Sequence, residues 1–139
     1  MIFPDWLPVF GDCSFRGECP KEAAEQATFF NQLRKEYPDS WGLLALHPKN
    51  EEKRKGAQFH RLKVDKAMGF ATGASDVIIP GAPALVLEIK RRDHTKSKWE
   101  SDQLPYLEAA HKAGAFVGVA LGWEGAWQAL NEWLMLHAS

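Results

Sequence analysis

The chain has 139 residues, 45% of them hydrophobic, and a formal net charge of −1. That is enough for one globular domain with its own core, whereas two domains would each be too small. No apolar stretch is long enough to cross a bilayer, no secretory leader pattern opens the chain, and no repeat or low-complexity tract appears, so a soluble, cytoplasmic protein without a membrane partner is expected.

Residues 1–19 read as an irregular N-terminal arm punctuated by Pro4, Pro8, Gly11 and Gly17, with Trp6, Leu7, Val9 and Phe10 packing onto the domain that follows at 20–139. Cys13 and Cys19 have no matching His or Cys pair for a zinc site; reduced thiols are expected, with a disulfide as the alternative. Pro20 suits a first helical turn. Ala23, Ala27, Phe30 and Leu33 then recur near the 3.6 period until Pro38, predicting a first helix.

The apolar run at 41–46 predicts a short strand, and a helix is expected at 57–68, stopped by Gly69 and Gly73. Asp76-Val-Ile-Ile79, the turn-forming Pro80-Gly-Ala-Pro83 and Leu85-Val-Leu-Glu-Ile-Lys90 predict a β-hairpin. A helix then runs to about Lys112, starting either at Ser97, where Ser97 and Glu100 have capping-box spacing, or nearer Ser101, which Pro105 suits. A strand at 116–121 and an amphipathic helix at 123–136, with Trp127, Leu130 and Leu134 facing inward, complete the order. The expectation is an α/β domain, a mixed central sheet flanked by helices.

Net charge alone does not point to nucleic acid, but its distribution does more. Twelve of the seventeen Lys and Arg residues fall in the windows 49–66 and 90–98, which hold only the acids Glu51, Glu52, Asp65 and Asp93. Such a field can hold a phosphate backbone, although solvated loop and helix faces give the same pattern.

Folding the hairpin about Gly81-Ala82 brings Asp76 opposite, or within one residue of, Glu88 on a neighbouring strand about 5 Å away. Glu88 and Lys90 project from one face, and Leu87 and Ile89 from the other. Two acids and a lysine gathered in this way suit a hard divalent cation with an ammonium beside it. The plainer alternative is a same-face ion pair on a solvent-facing strand, with Asp76 as a turn residue.

The surrounding motifs favour the first reading. Gly73-Ala-Ser-Asp76, an eleven-residue gap, Glu88-Ile-Lys90 and the downstream Gln103 resemble the PD-(D/E)XK nuclease signature in the form used by the VRR-NUC family, often found in phages. Glu22-Ala-Ala-Glu25-Gln26 resembles the amino-terminal acidic motif of that family, His47-Pro-Lys-Asn50 with Arg54 its Pro-Asn and basic loop, and Gly122-Trp123-Glu124 its usual ending. Ser75 stands where the family commonly has proline, and the compact Pro-Asn-Gly turn is expanded to Pro48-Lys49-Asn50-Glu51.

The resemblance implies a restriction-endonuclease-like core and a Mg²⁺-dependent DNA endonuclease, with Mn²⁺ substituting, acting on branched or structured DNA. By analogy with relatives of this size, a homodimer belongs to the same expectation. In this reading Asp76, Glu88 and the Ile89 carbonyl hold the metal, Lys90 contacts the water nucleophile or the scissile phosphate, and Gln103 orients Lys90 or the substrate. Glu25 is the preferred third acid, with Glu22 as the fallback because one sequence does not fix the helix phase. Arg54, Arg61, Lys63, Arg91, Arg92, Lys96 and Lys98 are candidate phosphate contacts that set register without reading bases. The alternatives are a non-catalytic nucleic-acid-binding or assembly module that keeps the fold, and an enzyme acting on RNA. The five histidines show no metal-ligand spacing and are expected on surfaces or loops. Trp99, Trp123, Trp127 and Trp133 are offered for base stacking, with core packing preferred for the last three.

Overall fold

The structure, a computed structural model, describes residues 1–48, 69 and 71–137. The helix expected at 57–68 and the candidate contacts Arg54, Arg61 and Lys63 lie outside the described residues. In chain order the elements are β1 (Val9–Phe10), α1 (Glu22–Glu36), α2 (Trp41–Leu44), β2 (Val77–Ile79), β3 (Leu85–Lys90), a 3-10 turn (His94–Lys96), α3 (Gln103–Lys112), β4 (Phe116–Leu121) and α4 (Gly122–Met135). The strands form one sheet in the order β1-β4-β3-β2, in which β1, β4 and β3 run parallel and β2 is antiparallel. This is the mixed α/β class that the sequence predicts.

Alternation along β3 sorts the layers. Leu85, Leu87 and Ile89 join Phe29, Leu33, Leu130 and Trp133, from α1 and α4, in one core. Val86 joins Leu107, Val117 and Val119 in a second core on the opposite face, under α3 and the arm. Period two therefore sends Glu88 and Lys90 to the α3 side. Both faces of β3 are covered, so all six of its residues are buried. Trp133 fills the first core and its Nε1 donates to the Pro83 carbonyl at 2.8 Å, tying α4 to the hairpin turn.

Three local expectations change. Residues 41–46 do not form a strand. Gly42 N donates to the Tyr37 carbonyl at 2.8 Å and Ala45 N to the Trp41 carbonyl at 2.8 Å, so the run coils into α2, and only Leu46 bridges the sheet, at Ile78. A six-residue apolar run without alternation does not by itself distinguish the two forms. The arm is not wholly irregular, because Val9 and Phe10 add a parallel strand to β4. Ser97 is not a helix cap: α3 begins at Gln103 after Asp102, and the Ser97 hydroxyl is engaged elsewhere.

The phase of α1 also differs from the small-residue repeat. Its buried stripe is Glu25, Phe29, Phe30 and Leu33, whereas Ala23 and Ala27 are exposed. Two phenylalanines bury far more apolar area than two alanines, and they set the rotation of the helix.

Candidate active site

The hairpin register pairs Val77 with Leu87 and Ile79 with Leu85. Continued by one residue, it sets Asp76 across from Glu88. The Asp76 carboxylate lies against β3, where its Oδ2 accepts from the Ile89 backbone N–H at 2.8 Å. Glu88 is 1% exposed and Asp76 half-buried, so Asp76 forms the open edge of the pair.

Burial, and then the neighbouring Asp76 charge, push Glu88 well above the ordinary carboxylate range, with Lys90 opposing the rise and Glu22 adding to it. One Glu88 oxygen, Oε2, is buried without a hydrogen-bond partner. The other accepts from Gln103 Nε2 at 2.9 Å.

Gln103 links this acid to the base. Its Oε1 accepts from Lys90 Nζ at 2.8 Å and from the Glu100 N–H at 2.9 Å, so the amide orientation is fixed at both ends. Lys90, also 1% exposed, makes a second donation to the Lys98 carbonyl at 2.7 Å. Its ammonium lies 5.3 Å from the Trp99 ring centroid and 3.7 Å from Glu22 Oε1. Burial of an ammonium needs this density of partners, since an unpaired buried charge costs several kcal/mol.

Local backbone explains why these groups meet. Gly73, at φ +75°, lets the chain pass close to the Asp102 backbone at the start of α3; a Cβ there would overlap it. That contact packs the segment leading to Asp76 against the helix that supplies Gln103.

The structure separates the two helix acids. Glu22 stands beside Lys90, and its Oε2 accepts from the Ser97 hydroxyl at 2.9 Å. Ser97 in turn accepts from the Arg91 N–H at 3.0 Å. Glu25 lies away from this group. Its carboxylate occupies the space a Cβ would take at Gly122, at the start of α4, and lies 3.8 Å from Arg92. Burial raises its pKa, with Arg92 pulling the other way. Glu25 thus stands at the head of α4 beside Arg92, and Glu22 beside Lys90.

Of the described phosphate candidates, Arg91 donates to the Cys19 and Pro20 carbonyls at 2.7 and 3.1 Å, and Arg92 to Glu124 at 2.7 Å. Both guanidinium groups are engaged with the protein. Lys96 and Lys98 are exposed, Lys98 lying 3.9 Å from Glu100. Cys13 and Cys19 are free thiols. His94 is buried against Phe3, at 5.1 Å between ring centroids, rather than at the surface. Sequence reasoning gave no role to the Lys98 carbonyl and did not place Trp99 or Ser97 at Lys90 and Glu22. These contacts depend on how the loop after β3 folds back, which no residue pattern encodes.

Among the described residues, no three His, Cys, Asp or Glu side chains converge into a metal cage. The acid set is a pair, and that pair fits a divalent cation. A buried carboxylate oxygen lacking a donor, pressed by a second carboxylate, is the arrangement a cation relieves.

Among the described residues no helix is long and apolar enough to cross a membrane. No family model matches the sequence, and no curated protein does. Among solved structures, one described as a VRR_NUC domain protein matches with a TM-score of 0.64, over 86% of this chain and 92% of that one, at 22% identity. The chain therefore has the fold of a VRR_NUC domain protein, a four-stranded mixed sheet between helices.

Proposed function

We propose that this protein is a metal-dependent DNA endonuclease of the VRR-NUC type, cleaving phosphodiester bonds in branched or structured DNA. The observation that carries the reading is the coupling of Asp76, Glu88 and Lys90 on the hairpin: Asp76 crowds Glu88, and Gln103 of α3 joins Glu88 to Lys90. Asp76 and Glu88, with the Ile89 carbonyl, would hold Mg²⁺, and Mn²⁺ would substitute. Bound there, the ion would relieve charge on the non-bridging phosphate oxygens and lower the pKa of a bound water.

Lys90 supplies the ammonium that steadies the attacking water or the scissile phosphate. Gln103 keeps that ammonium and the Glu88 carboxylate in fixed relation, so it is a positioning residue. Glu22 and the Trp99 ring complete the surroundings of Lys90. Substrate reaches the pair from the side of Asp76 and Glu22, which are partly exposed.

A second reading, a nucleic-acid-binding module that retains the fold without catalysis, is favoured by the 1% exposure of both Glu88 and Lys90. One experiment separates the two. Wild type and Lys90→Ala are incubated with linear, nicked, flapped and four-way DNA, and with RNA of matched sequence, in Mg²⁺ or EDTA. The enzyme reading expects cleavage by wild type in Mg²⁺ alone and its loss in the variant, with DNA affinity retained. Cleavage in EDTA, or full activity without Lys90, overturns the mechanism. Binding without cleavage under every condition selects the second reading.

A further inference from the structure

Lys90 is held by a stretch of chain that the N-terminal arm itself holds. Two of its three ammonium hydrogens have acceptors among the described residues, the Lys98 carbonyl at 2.7 Å and Gln103 Oε1 at 2.8 Å. The third has none within hydrogen-bond range, since Glu22 Oε1 stands 3.7 Å away. The Trp99 ring lies 5.3 Å from the same nitrogen. Lys98 and Trp99 are consecutive, so a carbonyl and an indole face reach the ammonium from one piece of backbone.

We propose that Trp99 and Phe3 are positioning residues for Lys90: the arm pins the loop 94–99, and the loop fixes the ammonium with one hydrogen left for substrate. The inference rests on the nuclease reading for what that hydrogen meets, the attacking water or the scissile phosphate.

The pinning engages both ends of the loop. Trp99 Nε1 donates to the Ile2 carbonyl at 2.9 Å, and the Phe3 ring meets the Trp99 ring edge-on, at 6.4 Å between centroids and 86° between planes. The same Phe3 ring meets buried His94 at 5.1 Å and 67°. Edge-to-face pairs at these separations are attractive. One arm residue therefore touches the first and the last side chain of 94–99. Farther along the arm, the Gly17 N–H donates to Asp93 at 3.0 Å, and the Cys19 and Pro20 carbonyls accept from Arg91. By contrast, the bonds inside the loop, from Thr95 and Lys96 to Asp93, close the turn without setting its distance from Lys90. That distance is set from outside, by the arm on one side and by Glu22, through Ser97, on the other.

The chemistry suits an indole here. A lysine stem is flexible and its ammonium is a compact charge, so the residue alone fixes neither place nor direction. A ring face attracts the cation without taking a hydrogen in a directed bond, whereas one more carbonyl or carboxylate at bonding distance would use the last hydrogen.

The test compares wild type with Trp99→Leu, Trp99→Phe and Phe3→Ala. Trp41→Leu is the control, since it removes an indole packed on Trp133 in the core on the other face of the sheet. Two quantities are read. Mg²⁺-dependent DNA cleavage gives kcat and KM. The ε-methylene resonance of Lys90, in protein carrying isotope-labelled lysine, is recorded in EDTA and assigned by its absence in Lys90→Ala. It reports whether the side chain still lies over the ring, which displaces it upfield in wild type.

Trp99→Leu should lower kcat by about ten- to hundredfold, the scale for a reacting group misplaced by an ångström, with KM nearly unchanged. It should also return the resonance to the position of exposed lysines. Trp99→Phe keeps a ring but gives up the bond to Ile2, and should recover part of both. Phe3→Ala should lower kcat by about three- to tenfold, on the scale of a weakened cation–ring contact, and move the resonance partway. Trp41→Leu should match wild type in both at a temperature where it stays folded. A wild-type resonance that is not displaced overturns the inference. So do wild-type kcat and resonance in either Trp99→Leu or Phe3→Ala, or an equal loss of rate in Trp41→Leu. The nuclease reading fails separately. If wild type cuts nothing, the resonance alone decides whether the arm holds Lys90; Lys90-dependent cleavage indifferent to Trp99 and Phe3 keeps the enzyme and removes the arm from its site.

Discussion

Two corners of the molecule each bury a glutamate with an oxygen that lacks a hydrogen-bond donor, and they differ in what stands next to it. At the head of α4, the Glu25 oxygen has the Arg92 guanidinium 3.8 Å away. On the hairpin, the Glu88 oxygen faces the second carboxylate, Asp76. In the first corner a guanidinium, shared with Glu124, stands against the Glu25 carboxylate and joins α1 to the head of α4. The second has an excess of negative charge that the protein itself only partly offsets, through Lys90. Burial alone does not mark a reactive acid; the sign of its neighbour does.

The largest expected effect breaks the two corners apart. Asp76→Asn or Glu88→Gln should lower Mg²⁺-dependent DNA cleavage by roughly 10²- to 10³-fold, the scale for losing one group that acts on developing charge. Glu25→Ala should leave cleavage within about threefold at a temperature where the protein stays folded, while lowering stability by about 1–2 kcal/mol, the usual scale for truncating a buried side chain. Gel assays of initial rates and urea unfolding measure the two quantities. Equal loss of cleavage in both corners would erase the distinction.

Gln103→Ala should come next, with about a tenfold drop in rate, because Lys90 and Glu88 lose their shared amide, and a stability cost of about 1–3 kcal/mol for polar groups left buried without a partner. Gln103→Glu is informative because a carboxylate at that position accepts from Lys90 but repels Glu88.

Metal linkage sharpens the comparison further. The Glu88 pKa is raised in the folded state, so its ionisation opposes folding, and stability falls as pH rises from the ordinary carboxylate range through the raised value. A cation that requires both carboxylates ionised offsets this most at high pH. Mg²⁺ at ten times its Kd should raise the melting temperature by about 5 °C at pH 8 and by less at pH 5.5. Glu25→Ala should keep that shift and Asp76→Asn should abolish it.

The smallest effect is at Asp93, where Thr95 and the Gly17 N–H hold the carboxyl down to about 2. Its contribution is present above the ordinary Asp range and is lost as pH falls through about 2. Hydrogen exchange should therefore show the Gly17 amide losing protection between pH 4 and pH 2 while the amides of β3 keep theirs.

How much of this was legible in the sequence depends on the range of the signal. The hairpin, β4, α3 and α4 follow from local periodicity and turn residues, and Asp76, Glu88, Lys90 and Gln103 are brought together where their spacing and family likeness suggest. The phase of α1 was not legible. Alanines at 23 and 27 imitate a core stripe, and only the packing of Phe29 and Leu33 turns Glu25 inward and leaves Glu22 by Lys90. Arg91 and Arg92 read as phosphate contacts because a basic run looks alike whether its groups meet solvent, carbonyls or carboxylates. The two-residue β1 was hidden because Val9 and Phe10, between Pro8 and Gly11, are too few to show alternation.

That short strand has a consequence for handling the protein. By lying along β4, it shields a stretch of main-chain donors and acceptors that would otherwise be a template for another molecule's backbone. A version trimmed to begin at α1 would keep every proposed catalytic group, yet it would bare that margin together with the apolar surface under Leu7 and Phe10. Its weakness would appear in the centrifuge tube, as self-association and precipitation.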